Sequence, residues 1–206
     1  MTTMNRSLAA LLALAALLGL LAGCESDSVA PHDAIPAVTA DDAAYQAGVV
    51  AYAVGRVGPY AVDAPAKATH TFTGEFGLTG TVFVEFAGGQ SHMYTAEGAP
   101  LVYTTELGGQ TMFDIDLMGT VNVQAQTVTL VEGSGGTVTS GDYVVAFTTT
   151  GLVLGMGYPD GVLMVTAGSH SGVVTFDGTN VATIVVDDNG QTWTVNLDTG
   201  AVTRPS

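Results

Sequence analysis

From Thr69 to the C-terminus, apolar and polar residues alternate with a period of two, and turn-forming residues recur about every eight to twelve positions. A strand points successive side chains to opposite faces, so this alternation lets one face be buried and the other stay wet. In Gln191 to Leu197, Trp193, Val195 and Leu197 share one face, while Thr192, Thr194 and Asn196 share the other. Phe113, Ile115 and Leu117 oppose Asp114 and Asp116 in the same way, and Tyr143, Val145 and Phe147 alternate with Val144, Ala146 and Thr148. Asn189-Gly190 is the strongest hairpin signal, because a type I′ turn needs positive φ at both central residues. Pro159-Asp160-Gly161 and Phe176-Asp177-Gly178 mark further turns.

Such segments number roughly ten to twelve, too many for a flat open sheet. An all-β fold is expected, an antiparallel barrel or a sandwich, preceded by one short α-helix. Gly77-Leu78-Thr79-Gly80-Thr81-Val82 and Gly135-Gly136-Thr137-Val138 hint at a meander of similar hairpins. The helix is expected at about 41–54. Thr39 and Asp42 have capping-box spacing, Asp41 and Asp42 suit a helix N-terminus, and Gly55, Gly58 and Pro59 supply stop signals. Ala44, Tyr45, Gly48, Val49, Tyr52 and Arg56 fall at helical spacing, which reads as a face packed on the sheet.

The N-terminus has a different character. Met1 to Ser7 is polar and carries Arg6, and every residue from Leu8 to Ala22 is Leu, Ala or Gly. A run of this length suits the apolar core of a signal peptide and falls short of the roughly 20 residues that a spanning helix needs. It ends in Leu21-Ala22-Gly23-Cys24, which resembles the lipobox of bacterial lipoproteins. The resemblance implies cleavage between Gly23 and Cys24, acylation of the Cys24 thiol and of the new amino group, and attachment to a membrane through these lipids. In that class an Asp after the Cys favours inner-membrane retention. Glu25 stands there, which implies the outer membrane.

Cys24 is the only cysteine, so no intramolecular disulfide can form, and lipidation would consume the thiol. Two or three acyl chains hold a protein on a bilayer durably where one does not. Residues 24–38 contain Pro31 and Pro36 without an apolar period and read as a flexible tether, leaving 39–206 as a single β-rich domain.

All 19 acidic residues follow Cys24, where only Arg56, Lys67 and Arg204 are basic. This argues against binding nucleic acid, which needs Lys and Arg to displace counterions, and against a second contact with anionic lipid. The expected partner is therefore the membrane through Cys24, with an envelope protein or a small apolar ligand as further possibilities.

No catalytic motif emerges. Gly168-Ser169-His170-Ser171-Gly172 has His where a nucleophile elbow needs Ser, and it joins two strand-like segments, so it reads as a hairpin loop with a solvent-exposed His. A Ser/His/Asp triad built in space from His70, His92 or His170 is neither supported nor excluded by sequence order. Asp187-Asp188-Asn189-Gly190 and Asp114-x-Asp116 do not match the Ca²⁺ loop pattern, and His32, His70, His92 and His170 lack zinc-ligand spacing. Neither a cofactor nor a metal is expected. The sequence thus points to a non-enzymatic structural or interaction role at the cell envelope. The alternative is a carrier of a small apolar ligand in a barrel cavity.

Overall fold

The computed structural model describes residues 38–62, 67–105, 108–187 and 191–204. The lipobox, Leu21, Ala22, Gly23 and Cys24, lies outside the described residues, as do His32 and nearly all of the tether.

The first element is helix α1, Ala40–Val57, continued by a 3-10 turn over Gly58–Ala61. Its start is the expected capping box: Asp42 N donates to Thr39 Oγ1 at 3.1 Å, and Thr39 N donates to Asp42 Oδ2 at 3.0 Å. Two otherwise unpaired backbone donors are satisfied there. The helix runs three residues past Val54, passing through Gly55, the first of the expected stop signals, and ending at Gly58-Pro59. It is not a surface helix with one packing face, however. Ala43, Ala44 and every residue from Gln46 to Val54 are buried, while Tyr45, expected on the packing face, is exposed. Such all-round burial means that α1 lies inside the fold.

Thirteen strands follow among the described residues: β1 Lys67–Thr73, β2 Leu78–Ala87, β3 Gln90–Tyr94, β4 Leu101–Thr104, β5 Gln110–Asn122, β6 Thr127–Leu130, β7 Gly135–Ser140, β8 Tyr143–Gly155, β9 Asp160–Ala167, β10 His170–Asp177, β11 Val181–Val186, β12 Thr192–Asn196 and β13 Val202–Thr203. The sequence estimate of ten to twelve falls short because β4 and β13 are too brief to show a period. All pairings are antiparallel, and the main path runs β1-β2-β3-β5-β6-β8-β9-β10-β11-β12-β13. Two short strands leave that path: β4 pairs with β2 and β5, and β7 pairs with β5 and β8. The regular meander thus splits on both sides of β5.

The described strands make one antiparallel sheet, barrel- or sandwich-like, with one hydrophobic core. Helix α1 packs against β8 to β13. Its C-terminal end reaches the other half of the sheet, where Tyr52 Oη donates to Phe76 O at 3.1 Å and Ser91 Oγ donates to Ala61 O at 3.2 Å. The turn between β12 and β13 meets β4 across the helix, since a Cβ on Gly200 would lie 3.1 Å from Tyr103 Oη. Side chains of α1 therefore line the inner space where a carrier would hold its ligand.

The alternation holds in detail. Phe113, Ile115, Leu117, Val145, Phe147, Trp193, Val195 and Leu197 are all buried. It slips once, in β8, where Thr149 and Leu152 both face inward and the register jumps between Thr150 and Val153. Gly151 absorbs the extra residue at φ +63°, a conformation that side-chain-bearing residues rarely adopt. The glycine pair in β7 serves close approach instead. A Cβ on Gly135 would fall 1.9 Å from Phe147 O, and one on Gly136 would fall 2.1 Å from Asp114 O.

Because α1 is enclosed, enlarging its small residues overpacks the core. Ala47→Leu is expected to lower unfolding stability by about 1–3 kcal/mol in urea, whereas Tyr45→Ala should stay within about 0.5 kcal/mol of the parent chain. Equal, small effects at both positions would contradict an internal helix.

Candidate functional site

Among the described residues, His70, His92 and His170 occupy unlike settings. His70 lies on β1, with its ring stacked on Tyr60 at 3.7 Å and edge-on to Phe72 at 4.5 Å. His92 lies on β3, opposite Met118 of β5 and two residues from Asp116. Its Nε2 is 2.7 Å from Asp116 Oδ1, and its ring stacks on Tyr94. His170 opens β10 directly after the two-residue turn Gly168-Ser169. The expected hairpin is there, but the expected solvent-exposed His is not. The side chain is only 23% exposed because Asp187 and Val38 close around it.

His170 Nδ1 faces Asp187 Oδ2, and Nε2 lies 3.0 Å from Val38 O. Asp187 Oδ1 also accepts from Ser171 N at 2.8 Å. Asp187 adopts φ +52° just past β11 and so turns its carboxylate back onto the neighbouring hairpin. The bond to Asp187 raises the His170 pKa above the ordinary imidazole range, against partial desolvation, and the same bond lowers that of Asp187. With both ring nitrogens engaged, His170 has no lone pair available for a general base or a metal. Among the described residues, no histidine ring is hydrogen-bonded to a serine hydroxyl.

The acidic strand β5 lines two shallow grooves. One runs beside the β6–β7 loop, with Asp116, Met118 and Glu132 in its walls. The other runs beside the β3–β4 loop, with Glu97, Asp114 and Asp116. The two share Asp116 and Gly136, so the splits in the sheet create both. The β6–β7 loop is pinned by buried Thr149, whose Oγ1 lies 3.2 Å from Val131 O and 3.1 Å from Ser134 O. Among the described residues, no group of three or more His, Cys, Asp or Glu is arranged to hold a metal.

A further cluster, without a histidine, escaped sequence reasoning. At the C-terminal end of α1, Arg56 Nη2 donates to Asp198 O at 2.6 Å and lies 3.5 Å from its carboxylate. The Asp198 carboxylate also accepts from Tyr158 Oη at 2.9 Å and Asn180 Nδ2 at 2.9 Å. These bonds, led by that from Asn180, hold its pKa below the usual carboxylate range. The Arg56 guanidinium lies 4.5 Å from the centre of the Phe76 ring, within cation-π range. Phe76 itself adopts φ +59°, uncommon for a residue with a side chain, and remains 45% exposed. The sequence showed Arg56 at helical spacing, but nothing joined it to Asp198, 142 positions away.

The bond to Asp198 raises the Tyr158 pKa above the ordinary phenol value. Asp198→Asn is therefore expected to move one tyrosine ionisation to lower pH in an ultraviolet titration, and Tyr158→Phe should remove that same component. An unchanged titration in Asp198→Asn would contradict the pairing. No protein-family model, curated protein or solved structure matches the chain.

Proposed function

We propose that this chain is a lipoprotein of the cell envelope, held by acyl chains on Cys24, whose β domain has a non-enzymatic structural or interaction role. The observation that carries this is Leu21-Ala22-Gly23-Cys24 behind an uninterrupted run of Leu, Ala and Gly. The arrangement of the domain suits it. The described chain starts at Val38, at the N-terminal end of α1, beside the β9–β10 turn. The segment from Glu25 to Ala37 can reach at most about 45 Å from Cys24.

The far end of α1 carries the Arg56, Phe76, Tyr158 and Asp198 cluster. An 18-residue helix separates it from the entry point by about 27 Å. Exposed aromatics fixed by an arginine have the composition of protein-contact hot spots. The interaction role is therefore assigned to this pole, with an envelope protein as the partner class. All three cations after Cys24 are paired, Arg56 with Asp198, Lys67 with Glu85 and Arg204 with Asp41. That leaves the lipid as the membrane contact. No helix among the described residues is long and apolar enough to cross a membrane. Glu25 directs the proposal to the outer membrane.

Mass spectrometry of the membrane-extracted protein is expected to find a chain beginning at acylated Cys24, and Cys24→Ala is expected to release the domain from membranes. An unmodified Cys24, or cleavage at another bond, would overturn the proposal.

A further inference from the structure

The peptide group joining Val38 to Thr39 is held on both sides by side chains that titrate. Its carbonyl faces His170 Nε2 at 3.0 Å, and its N–H donates to Asp42 Oδ2 at 3.0 Å. The two holders come from different elements, the β9–β10 hairpin and the first turn of α1. Val38 also packs on that hairpin, since a Cβ on Gly168 would lie 3.4 Å from its side chain.

The protonation states follow from hydrogen-bond chemistry. A carbonyl and a carboxylate are both acceptors, so His170 satisfies both only when each ring nitrogen carries a proton. Asp42 has the opposite need: its Oδ2 accepts from both Thr39 N and Thr39 Oγ1, which the ionised carboxylate does best. We propose that His170 and Asp42 form a pH-gated clasp on the Val38–Thr39 peptide group. It is closed while the imidazole is protonated and the carboxylate ionised, and it opens when either condition fails.

The charged surroundings support this. Among the described residues, Asp187, arriving from the end of β11, is the charged group acting on His170, and Val38 contributes only its carbonyl. The hairpin neighbours Gly168, Ser169 and Ser171 are uncharged. On the helix side, Asp42 is acted on by Thr39, while its neighbour Asp41 is paired with Arg204 at 3.1 Å.

The signs are opposed. The His170 pKa is raised on folding, so its contribution is complete below the ordinary imidazole value and is lost as pH rises through the folded value. The Asp42 pKa is lowered, so its contribution is present above the ordinary carboxylate value and is lost as pH falls through the folded value. The clasp is therefore complete over mildly acidic to neutral pH. Opening on the alkaline side frees the chain from the hairpin at the point where it enters the domain. If Cys24 is lipidated as proposed above, this lengthens the tether.

Hydrogen exchange of the full chain in detergent, read by mass spectrometry and corrected for intrinsic rates, tests the clasp without depending on the lipid. Between about pH 5.5 and about pH 9, protection of the peptide spanning Val38 to Ala44 is expected to fall on the order of tenfold, as for one lost charge-assisted bond, while a peptide in β12 holds. His170→Gln should make protection of the first peptide independent of pH over that range. Asp187→Asn should shift the alkaline midpoint downward. Flat protection in the parent chain, pH dependence that survives in His170→Gln, or an unmoved midpoint in Asp187→Asn would each overturn the clasp.

Discussion

The packing of α1 against the inner face of the sheet is the constraint on which the rest of the structure depends. A helix enclosed on nearly all sides must be largely apolar and slender enough for strands to approach it. Its six alanines and two glycines supply both properties. A Cβ on Gly48 would fall 2.4 Å from a methyl of Val202, and Gly172 of β10 sits against Ala47. With α1 in place, sheet halves far apart along the main path bury their apolar faces in one core. The inward rows of β8 to β13 gain in α1 a partner that they could not find in a flat sheet.

The same enclosure gives the molecule two poles, because a buried helix must surface at both ends and its terminal groups need partners there. At the start, the capping box and the His170–Asp187 pair gather around the point where the chain enters. At the end, Arg56 is drawn out between Asp198, Phe76 and Tyr52. On the sheet face, Lys67, the third cation, is spent on Glu85.

The strands were legible because alternation is a local property. Trp193, Val195 and Leu197 point inward by the same geometry that makes their positions odd-numbered neighbours in the sequence. The capping box was legible for a similar reason, since Thr39 and Asp42 lie within one turn of each other. The placement of α1 was harder to read. Its spacing marks a helix, but whether one face or every face is covered depends on strands more than a hundred residues away. The bulge at Gly151 and the splits on either side of β5 were hidden too, because a register shift shows only against a partner strand.

The sites divide along the same line. The motif ending at Cys24 is contiguous, and peptidases and acyltransferases read contiguous segments, so the sequence by itself determined the proposed anchor, the acidic charge balance and the antiparallel β character. Only the tertiary structure decided that the helix lies inside the sheet, that His170 meets Asp187 and Val38, and that Arg56 meets Asp198. Those pairings join residues between 17 and 142 positions apart. They exist only once side chains from separate elements converge, which no local pattern encodes.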